Sequence, residues 1–360
     1  MSIRQPPRRH LWVWFLWLAG FYSAWVWLVF VQGRWEVAKA HWPIALAMAM
    51  GSYVAGSTPM GGGTIGFPIL VLLFGMPATL GRDFSFAVQS IGMTSAGIFI
   101  LARRQPIAWS MLKGAMAGSL IGTPLGIFFV APLIPELWIK LVFAVVWCSF
   151  GVLHFYRIGE IASHKGMTEF DERWDFRVGL ALGALSGATV AAVTGVGIDM
   201  VLYAALVLLC RADLKIAIPT SVIIMAFTSV LGVVVKNLST GLKPGAFDNW
   251  LAAAPNVALG APLGVFVVEL IGRKPTLLFV AVLCVGQFVW TCYTERAALG
   301  VAGLLLALAA VGLALFGFER LRAWGAVLVG EAKAKRRSSP DSKRQSSRLA
   351  ASNDAKPEEP

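Results

Sequence analysis

Charged residues are scarce in this chain of 360 residues, where they make up 14% against 57% hydrophobic residues. Soluble domains need about 25% charged residues to cover their surface, so the composition excludes an ordinary soluble protein. Apolar runs of roughly 20 residues, each long enough to span a bilayer, recur along the sequence. Because these runs are continuously apolar rather than alternating, they favour helices over the strands of a membrane barrel. We therefore predict an all-α, polytopic helical membrane protein.

Cysteine and histidine are also rare, with four residues of each. Neither a zinc site nor a disulfide framework is predicted, because none of the cysteines forms a Cys-x-x-Cys pair. The histidines are too dispersed along the chain to form a metal site. The segment from Gly61 to Thr64 lacks the Gly-Lys-Ser/Thr ending of a phosphate-binding loop. We expect no metal, no cofactor and no enzyme activity.

Acidic residues are outnumbered by basic ones, 19 against 31, which gives a formal net charge of +12. The excess flanks the first and last apolar runs, at Arg4, Arg8, Arg9, Lys333, Lys335, Arg336, Arg337, Lys343, Arg344 and Arg348. Basic flanks are typical of cytoplasmic tails, so we expect contact with membrane lipid and no nucleic acid as a partner. The first run, 11–31, is too long and aromatic for a signal peptide, and we interpret it as a retained helix.

Hydropathy divides the chain into six parts. The first three are a basic cytoplasmic N-tail with a leading transmembrane helix (1–41), a first transmembrane repeat (42–156) and a cytoplasmic loop (157–177). The last three are a second transmembrane repeat (178–293), a final transmembrane helix (294–329) and a disordered basic cytoplasmic tail (330–360).

Two glycine clusters interrupt apolar runs. The first, residues 56–68, reads Gly-Ser-Thr-Pro-Met-Gly-Gly-Gly-Thr-Ile-Gly-Phe-Pro, and the second, residues 194–199, reads Thr-Gly-Val-Gly-Ile-Asp. Two further pairs match in the same order, namely Thr94-Ser95 with Thr228-Ser229, and 121–126 with 259–264. Paired interruptions in two halves are typical of transporters whose site lies near the bilayer midplane. We predict two homologous repeats, each with a glycine-broken helical hairpin.

The relative direction of the repeats depends on whether each broken segment turns back or crosses the membrane. A hairpin leaves three crossings in each repeat and inverts the repeats, whereas a single crossing gives four and keeps them parallel. The hairpin arrangement places most loop arginines and lysines on one side, as the positive-inside rule requires. We therefore favour inverted repeats with both termini in the cytoplasm, and the parallel arrangement is the alternative.

The glycine clusters could bind an anion through the backbone. A helix that begins inside a membrane exposes about four unpaired N–H groups and a partial positive charge, and glycine lets a ligand approach them. Hydroxyl and amide groups of the helix that follows the first cluster could add donors. The alternative is close packing of helices through small residues. The predicted substrate-binding residues are Gly61, Gly62, Gly63, Thr64, Pro68, Ser85, Gln89, Thr194, Gly195 and Gly197.

Asp199 lies in the second cluster, at membrane depth, where a carboxylate is costly and indicates function. It could be a coupling residue that carries a proton, and it could also repel the wrong substrate. A third interpretation is that it caps the N-terminus of the helix that follows. The residues alone leave these interpretations open.

The stretch 60–68, the motifs at 121–126 and 259–264, and the layout in two halves resemble the TauE/SafE family of sulfite and organosulfonate exporters. The resemblance covers about residues 44–293. It implies a secondary transporter that exports small sulfur anions, such as sulfite or sulfoacetate, across the cell inner membrane. It also implies that the anion binds near the midplane between two broken helices.

The second half departs from the family pattern in two places. Gly195-Val196-Gly197 replaces the glycine triplet, and Leu202 stands where Pro68 would repeat, so the two breaks need not contact the substrate equally. The residues also allow a carrier of a different anion or cation centred on Asp199, or a membrane channel or scaffold. The predicted partner is a small anionic substrate, and a homodimer is left open.

Overall fold

The computed structural model describes residues 10–61, 63–168 and 170–338, and these residues form helices and no strand. The prediction of an all-α fold is therefore confirmed. In chain order the helices are α1 Leu11–Val31, α2 Trp35–Ala40, α3 Trp42–Ser57, α4 Gly63–Pro68, α5 Ala78–Ala102, α6 Trp109–Leu133, α7 Glu136–Ser163, α8 Glu172–Thr194, α9 Ile198–Leu209, α10 Leu214–Leu238, α11 Ala246–Ile271, α12 Arg273–Thr294 and α13 Arg296–Ser338. A π-helical turn, Ile69–Leu73, continues α4, and α13 is kinked at Gly300.

Nine helices within the described ranges are long and apolar enough to cross a membrane, which confirms a polytopic membrane protein. α3, α4 and α9 are shorter and flank the glycine clusters. α7 ends at Ser163 and α8 begins at Glu172, so helical turns occupy both edges of the range 157–177. α13 runs to Ser338, inside the range 330–360, and the later residues of that range lie outside the described ones.

Each glycine cluster makes the chain turn back on itself. A Cβ atom built on Gly51 of α3 would lie 3.0 Å from Ile65 Cγ2 of α4, and one on Gly66 would lie 3.1 Å from Met48 Sδ. These contacts require α3 and α4 to run antiparallel. In the second half, Thr168 N donates a hydrogen bond of 3.2 Å to Cys210 O, so the end of α9 lies beside the start of α8. Both broken segments are therefore hairpins.

Helices that would correspond in the two predicted repeats run in opposite directions. A Cβ atom on Gly97 of α5 would lie 3.8 Å from Ile223 of α10, whereas Phe86 of α5 contacts Gly232 near the other end of α10. α7 and α12 are antiparallel as well, because Lys140 at the start of α7 pairs with Glu295, just beyond the end of α12. Inverted repeats would show this arrangement, and the repeat relationship itself stays a prediction.

Two close helix crossings are built from glycine. Four glycines of α6 are spaced four residues apart, and a Cβ atom on any of them would overlap backbone atoms of α8; they are Gly114, Gly118, Gly122 and Gly126. A Cβ atom on Gly179 or Gly183 of α8 would likewise overlap the backbone of α6. Gly56 and Gly264 bring α3 and α11 together in the same way. Small residues at this spacing let helix backbones touch. The repeated motifs at 121–126 and 259–264 thus serve helix packing.

Gly118→Ala is expected to destabilise the protein, because the new methyl group would overlap the carbonyl oxygen of Leu180 on α8. Backbone atoms cannot rotate away, so the helices must separate, at about 1–3 kcal/mol. Gly286→Ala in α12 is the matched control, since nothing lies within 4 Å of that methyl group. Thermal unfolding in detergent should show a lower Tm for Gly118→Ala alone. Equal Tm values for the two variants would contradict the packing role.

Arginine-rich ion pairs join helix ends at one end of the bundle. Arg157 on α7 pairs with Glu319 on α13 at 2.8 Å, and Arg322 pairs with Glu160 at 3.3 Å. Arg211 reaches the same Glu160 at 3.7 Å. The start of α1 lies there too, because His10 N donates to Ala102 O at the end of α5. We call this end, marked by Arg104, Arg157, Arg211 and Arg322, the basic end.

The opposite end of the bundle carries a different set of charges. Thr79 Oγ1 donates to Glu136 at 2.6 Å, and Lys140 pairs with Glu295 at 2.6 Å. Lys236 pairs with Asp83 at 3.3 Å. We call this end, marked by Asp83, Glu136, Lys140, Lys236 and Glu295, the far end.

Candidate transport site

The two hairpin turns meet inside the protein. A Cβ atom on Gly61 would overlap Gln89 Oε1 of α5 and would lie 2.9 Å from Asp199 Oδ2 of α9. A Cβ atom on Gly195 would overlap Arg82 O and lie 3.0 Å from Ser85 Cβ, again on α5. The turns thus approach each other beside the first half of α5, and a side chain at either glycine would overlap atoms of α5.

The first turn is shaped by hydroxyl groups and glycine. α3 ends at Ser57, and Thr58 Oγ1 donates to Val54 O at 2.8 Å while its backbone becomes extended. Gly61 has φ +63°, a left-handed conformation that disfavours any side chain. α4 begins at Gly63. The predicted binding residue Gly62 and the side chain of Thr64 lie outside what the structure describes.

Pro68 is at the end of α4 and faces away from the meeting point of the turns. It lines an apolar groove between α3, α4 and α12, together with Met50, Tyr53 and Phe279. The structure therefore does not bring Pro68 together with Gln89 and Asp199, although the sequence grouped these residues. Its position one turn beyond the start of α4 explains the difference.

The second turn uses its own polar groups for backbone pairing. Thr194 Oγ1 donates to Val190 O at 2.8 Å, and Gly195 and Gly197 take φ values of +81° and +101°. Asp199 Oδ1 accepts hydrogen bonds from Gly197 N at 3.1 Å and Met200 N at 3.0 Å. One carboxylate oxygen therefore caps the start of α9, as one interpretation of the sequence expected. These N–H groups can reach an anion only if Asp199 moves.

Gln89 ties α5 to the second turn. Its Nε2 donates to Ser85 O at 3.0 Å and to Gly195 O at 3.3 Å. The hydroxyl of Ser85 donates to Gly81 O within its own helix at 2.8 Å, so Ser85 contributes packing against Gly195. Of the two α5 residues predicted from the sequence, Gln89 is the one that directs a polar group into the site.

Two buried acceptors face the same point without a donor. Asp199 is 0% exposed and Gln89 is 1% exposed. Asp199 Oδ2 and Gln89 Oε1 make no hydrogen bond within the described part of the chain. Both oxygens lie close to the position that a Cβ atom would take on Gly61. A buried acceptor left unpaired costs about 1–3 kcal/mol, so this arrangement calls for a proton, or another donor, between the two oxygens.

The space beside Gln89 is small. A cavity of about 10 Å³ lies between Met48, Ser52, Gly92 and Val257, which is at most the size of one water molecule. An oxyanion such as sulfite does not fit into it. Binding of an oxyanion beside Gln89 would therefore require this space to widen.

A buried pair of side chains fixes α9 to α7. His154 and Tyr203 are 0% and 1% exposed. His154 Nδ1 lies 2.8 Å from Phe150 O, to which it must donate, so Nε2 accepts the hydroxyl of Tyr203 at 3.1 Å. Tyr203 comes one helical turn after Asp199. The pair limits where the second hairpin can move.

Sequence reasoning missed the charged residues next to the turns. Arg82 and Lys236 are not among the residues predicted for the site, but the structure buries both against Asp83. The signal in the sequence was the charged pair Arg82-Asp83 at the start of an apolar run that also contains Ser85 and Gln89. Residues spaced three and four apart share a helix face.

Comparison with known proteins agrees with the resemblance in the sequence. Neither a curated protein nor a solved structure matches this chain. The sequence model of the family described as sulfite exporter TauE/SafE matches residues 44–291, which include both hairpins and the helices from α5 to α12 apart from the last turn of α12. The chain therefore belongs to the TauE/SafE family.

Proposed function

We propose that this protein is a secondary transporter that exports small sulfur anions, such as sulfite, sulfoacetate or related organosulfonates. Membership of a sulfite exporter family and the nine apolar helices among the described residues support a multi-pass membrane transporter. The observation that favours a transport site is the meeting of the two hairpin turns at Gly61, Gln89 and Asp199. Broken helices in paired positions are the usual place for substrate and coupling ions in such folds.

The first turn is the better candidate for the anion. Glycine has no side chain that would keep a ligand from its backbone, and the positive end of α4 attracts negative charge. The N–H groups of the second turn are paired with Asp199 and Thr194. The anion would therefore bind mainly at Gly61, Gly62, Gly63 and Thr64, and the second turn would face it with Asp199.

Asp199 is then the coupling residue. A proton on Oδ2 would turn one of the two unpaired acceptors beside Gly61 into a donor. An ionised Asp199 would repel an anion at Gly61, so proton and anion bind together. The net flux then depends on the sum of the anion and proton gradients.

A cation carrier centred on Asp199 is the second candidate function. It is favoured by the two unpaired oxygens, Asp199 Oδ2 and Gln89 Oε1, because oxygen atoms are the ligands of small cations. In that case the cation would be the transported species and the glycine-rich turn would serve packing alone.

The basic end of the bundle is the proposed cytoplasmic side of the inner membrane. Loop arginines and lysines favour the cytoplasm, and Arg104, Arg157, Arg211 and Arg322 lie at this end. The start of α1 and the end of α13 lie there as well, so both termini would be cytoplasmic.

Proteoliposome transport tests the proposed substrate. Purified protein is reconstituted, and uptake of radiolabelled sulfite and sulfoacetate is followed with and without an imposed pH gradient. We expect saturable uptake that the pH gradient accelerates, and protein-free liposomes as the control should show neither property. Absence of saturable uptake of either anion would rule out the proposed substrate class, and saturable uptake of sodium or potassium ions would favour the cation carrier.

A further inference from the structure

Three charged side chains are buried together at the far end, beside the second hairpin turn. Arg82 and Asp83 lie in the first turns of α5, and Lys236 lies in the last turn of α10; they are 7%, 0% and 5% exposed. Arg82 Nε donates to Asp83 Oδ1 at 3.0 Å, and Lys236 Nζ lies 3.3 Å from Asp83 Oδ2. The backbone N–H of Lys243 also donates to Oδ2, at 2.9 Å.

The charges of this cluster do not balance. Two cations share one carboxylate, which leaves an excess of one positive charge in a buried place. Two other carboxylates of the far end have separate partners, since Glu136 accepts from Thr79 and Glu295 pairs with Lys140. A buried charge without a counter-charge is costly, so the cluster is suited to receive one negative charge.

The guanidinium group of Arg82 has unused donors. Its one hydrogen bond to the described residues is made by Nε, so Nη1 and Nη2 can bind a ligand. The planar N–H groups of arginine match two oxygens of a carboxylate, phosphate or sulfur oxyanion. Lys236 supplies a second cation, and its Nζ is held by Thr240 Oγ1 at 2.9 Å.

The cluster is connected to the turns along one face of α5. Arg82, Ser85 and Gln89 are spaced by three and four residues, so they share a helix face. Seven residues of α-helix rise about 10 Å, which is the separation along the axis between Arg82 and Gln89. The carbonyl of Arg82 itself contacts Gly195 of the second turn. An anion at Arg82 is therefore next to the proposed site, on its far side.

We propose that Arg82 and Lys236 form a second anion site, which binds a small oxyanion between the hairpin turns and the far end of the bundle. The choice of a sulfur oxyanion rests on the proposed function, whereas the preference for an oxyanion rests on the cluster itself. Asp83 keeps both cations in place and limits the excess to a single charge, so the site binds a monoanion without trapping it. The competing explanation is an ion-pair network that only joins α5 to α10.

Transport kinetics from the two sides separate these explanations. Arg82→Gln is expected to raise the KM for sulfite offered at the far end about tenfold or more, because a charge-assisted pair is lost, with little change in KM from the basic end. Lys140→Gln is the matched control, since it removes one ion-paired cation of the same end, 2.6 Å from Glu295. A purely structural network predicts a lower Tm and unchanged KM from both sides, which would overturn the proposal.

Equilibrium binding tests the site separately from transport. Binding of radiolabelled sulfite, sulfate and phosphate to the detergent-solubilised protein should be weakened in Arg82→Gln and unchanged in Lys140→Gln. If Arg82→Gln does not fold, Arg82→Lys keeps the charge, loses the paired N–H groups and should bind a few-fold more weakly. A wild type that transports no sulfite refutes the proposed function, but anion binding that depends on Arg82 would still support this site. Equal binding by wild type and variants, or none by the wild type, would overturn it.

Discussion

Gly61→Ala is expected to abolish transport while the protein still folds. The methyl group would overlap Gln89 Oε1 and lie 2.9 Å from Asp199 Oδ2, at the point where the two turns and α5 meet. Gln89 has a flexible side chain that can move, so the structure survives with Gln89 displaced from the site. The left-handed backbone at φ +63° adds about 1–2 kcal/mol of strain. Sulfite uptake into proteoliposomes should fall more than tenfold.

Gly75→Ala is the matched control for this experiment. Gly75 has φ +65°, so alanine meets the same backbone strain, but nothing lies within 4 Å of the new methyl group. Uptake by Gly75→Ala should stay near the wild-type rate, and both variants should show similar Tm values. If Gly61→Ala transports as well as Gly75→Ala, the meeting point of the turns is not where substrate or proton passes.

The glycine clusters could be predicted as breaks because glycine and proline act locally. Gly61, Gly195 and Gly197 take positive φ values in the structure. Glycine tolerates this conformation better than other residues, so its positions in the sequence indicate where the chain can turn. The hairpin form of both segments and the all-α membrane fold also follow from local patterns of hydropathy and loop charge. These features do not depend on which helices become neighbours.

The pairing of side chains across helices could not be predicted in the same way. Gln89 faces Asp199 because α5 packs between the two hairpins, and nothing in either segment specifies that neighbour. Lys236 looks like a helix-end lysine, but α10 brings it to Asp83 on α5. The sequence likewise offered three roles for Asp199, and the structure shows that one carboxylate oxygen acts as a cap while the other stays unpaired.

The glycine motifs at 121–126 and 259–264 show that a motif can recur in a sequence without marking a functional site. Gly122 contacts Ala184 of α8 and Gly260 contacts Ser52 of α3, so both serve close helix packing. Each motif packs a helix of one half of the chain against a hairpin arm of the other half. The turn glycines differ from these, because they face polar atoms in the interior. Only the neighbours in three dimensions distinguish a glycine that packs helices from a glycine at the candidate site.

Asp199→Asn is expected to remove the response to a pH gradient and keep anion exchange. The amide oxygen of asparagine can still accept from Gly197 N and Met200 N, so the cap of α9 remains. Its NH₂ group places a donor where Oδ2 lies, beside Gly61, as a protonated carboxyl would. The variant therefore resembles a permanently protonated carrier. Counterflow of labelled against unlabelled sulfite should continue, whereas the component of uptake driven by the pH gradient should fall to background.

Asp248→Asn is the control, because Asp248 is an aspartate in the first turn of α11, outside the meeting point of the turns. It should keep both the exchange and the pH response. If Asp199→Asn keeps a normal pH response, Asp199 is only a cap and the proton is carried elsewhere. A different result would be that Asp199→Asn loses both exchange and net flux. If the wild type, in addition, carries sodium or potassium ions at the same rate with and without sulfite, Asp199 binds a transported cation. The proposal that Asp199 carries the coupled proton therefore requires two results together in Asp199→Asn. The flux driven by the pH gradient is lost, and anion exchange is kept.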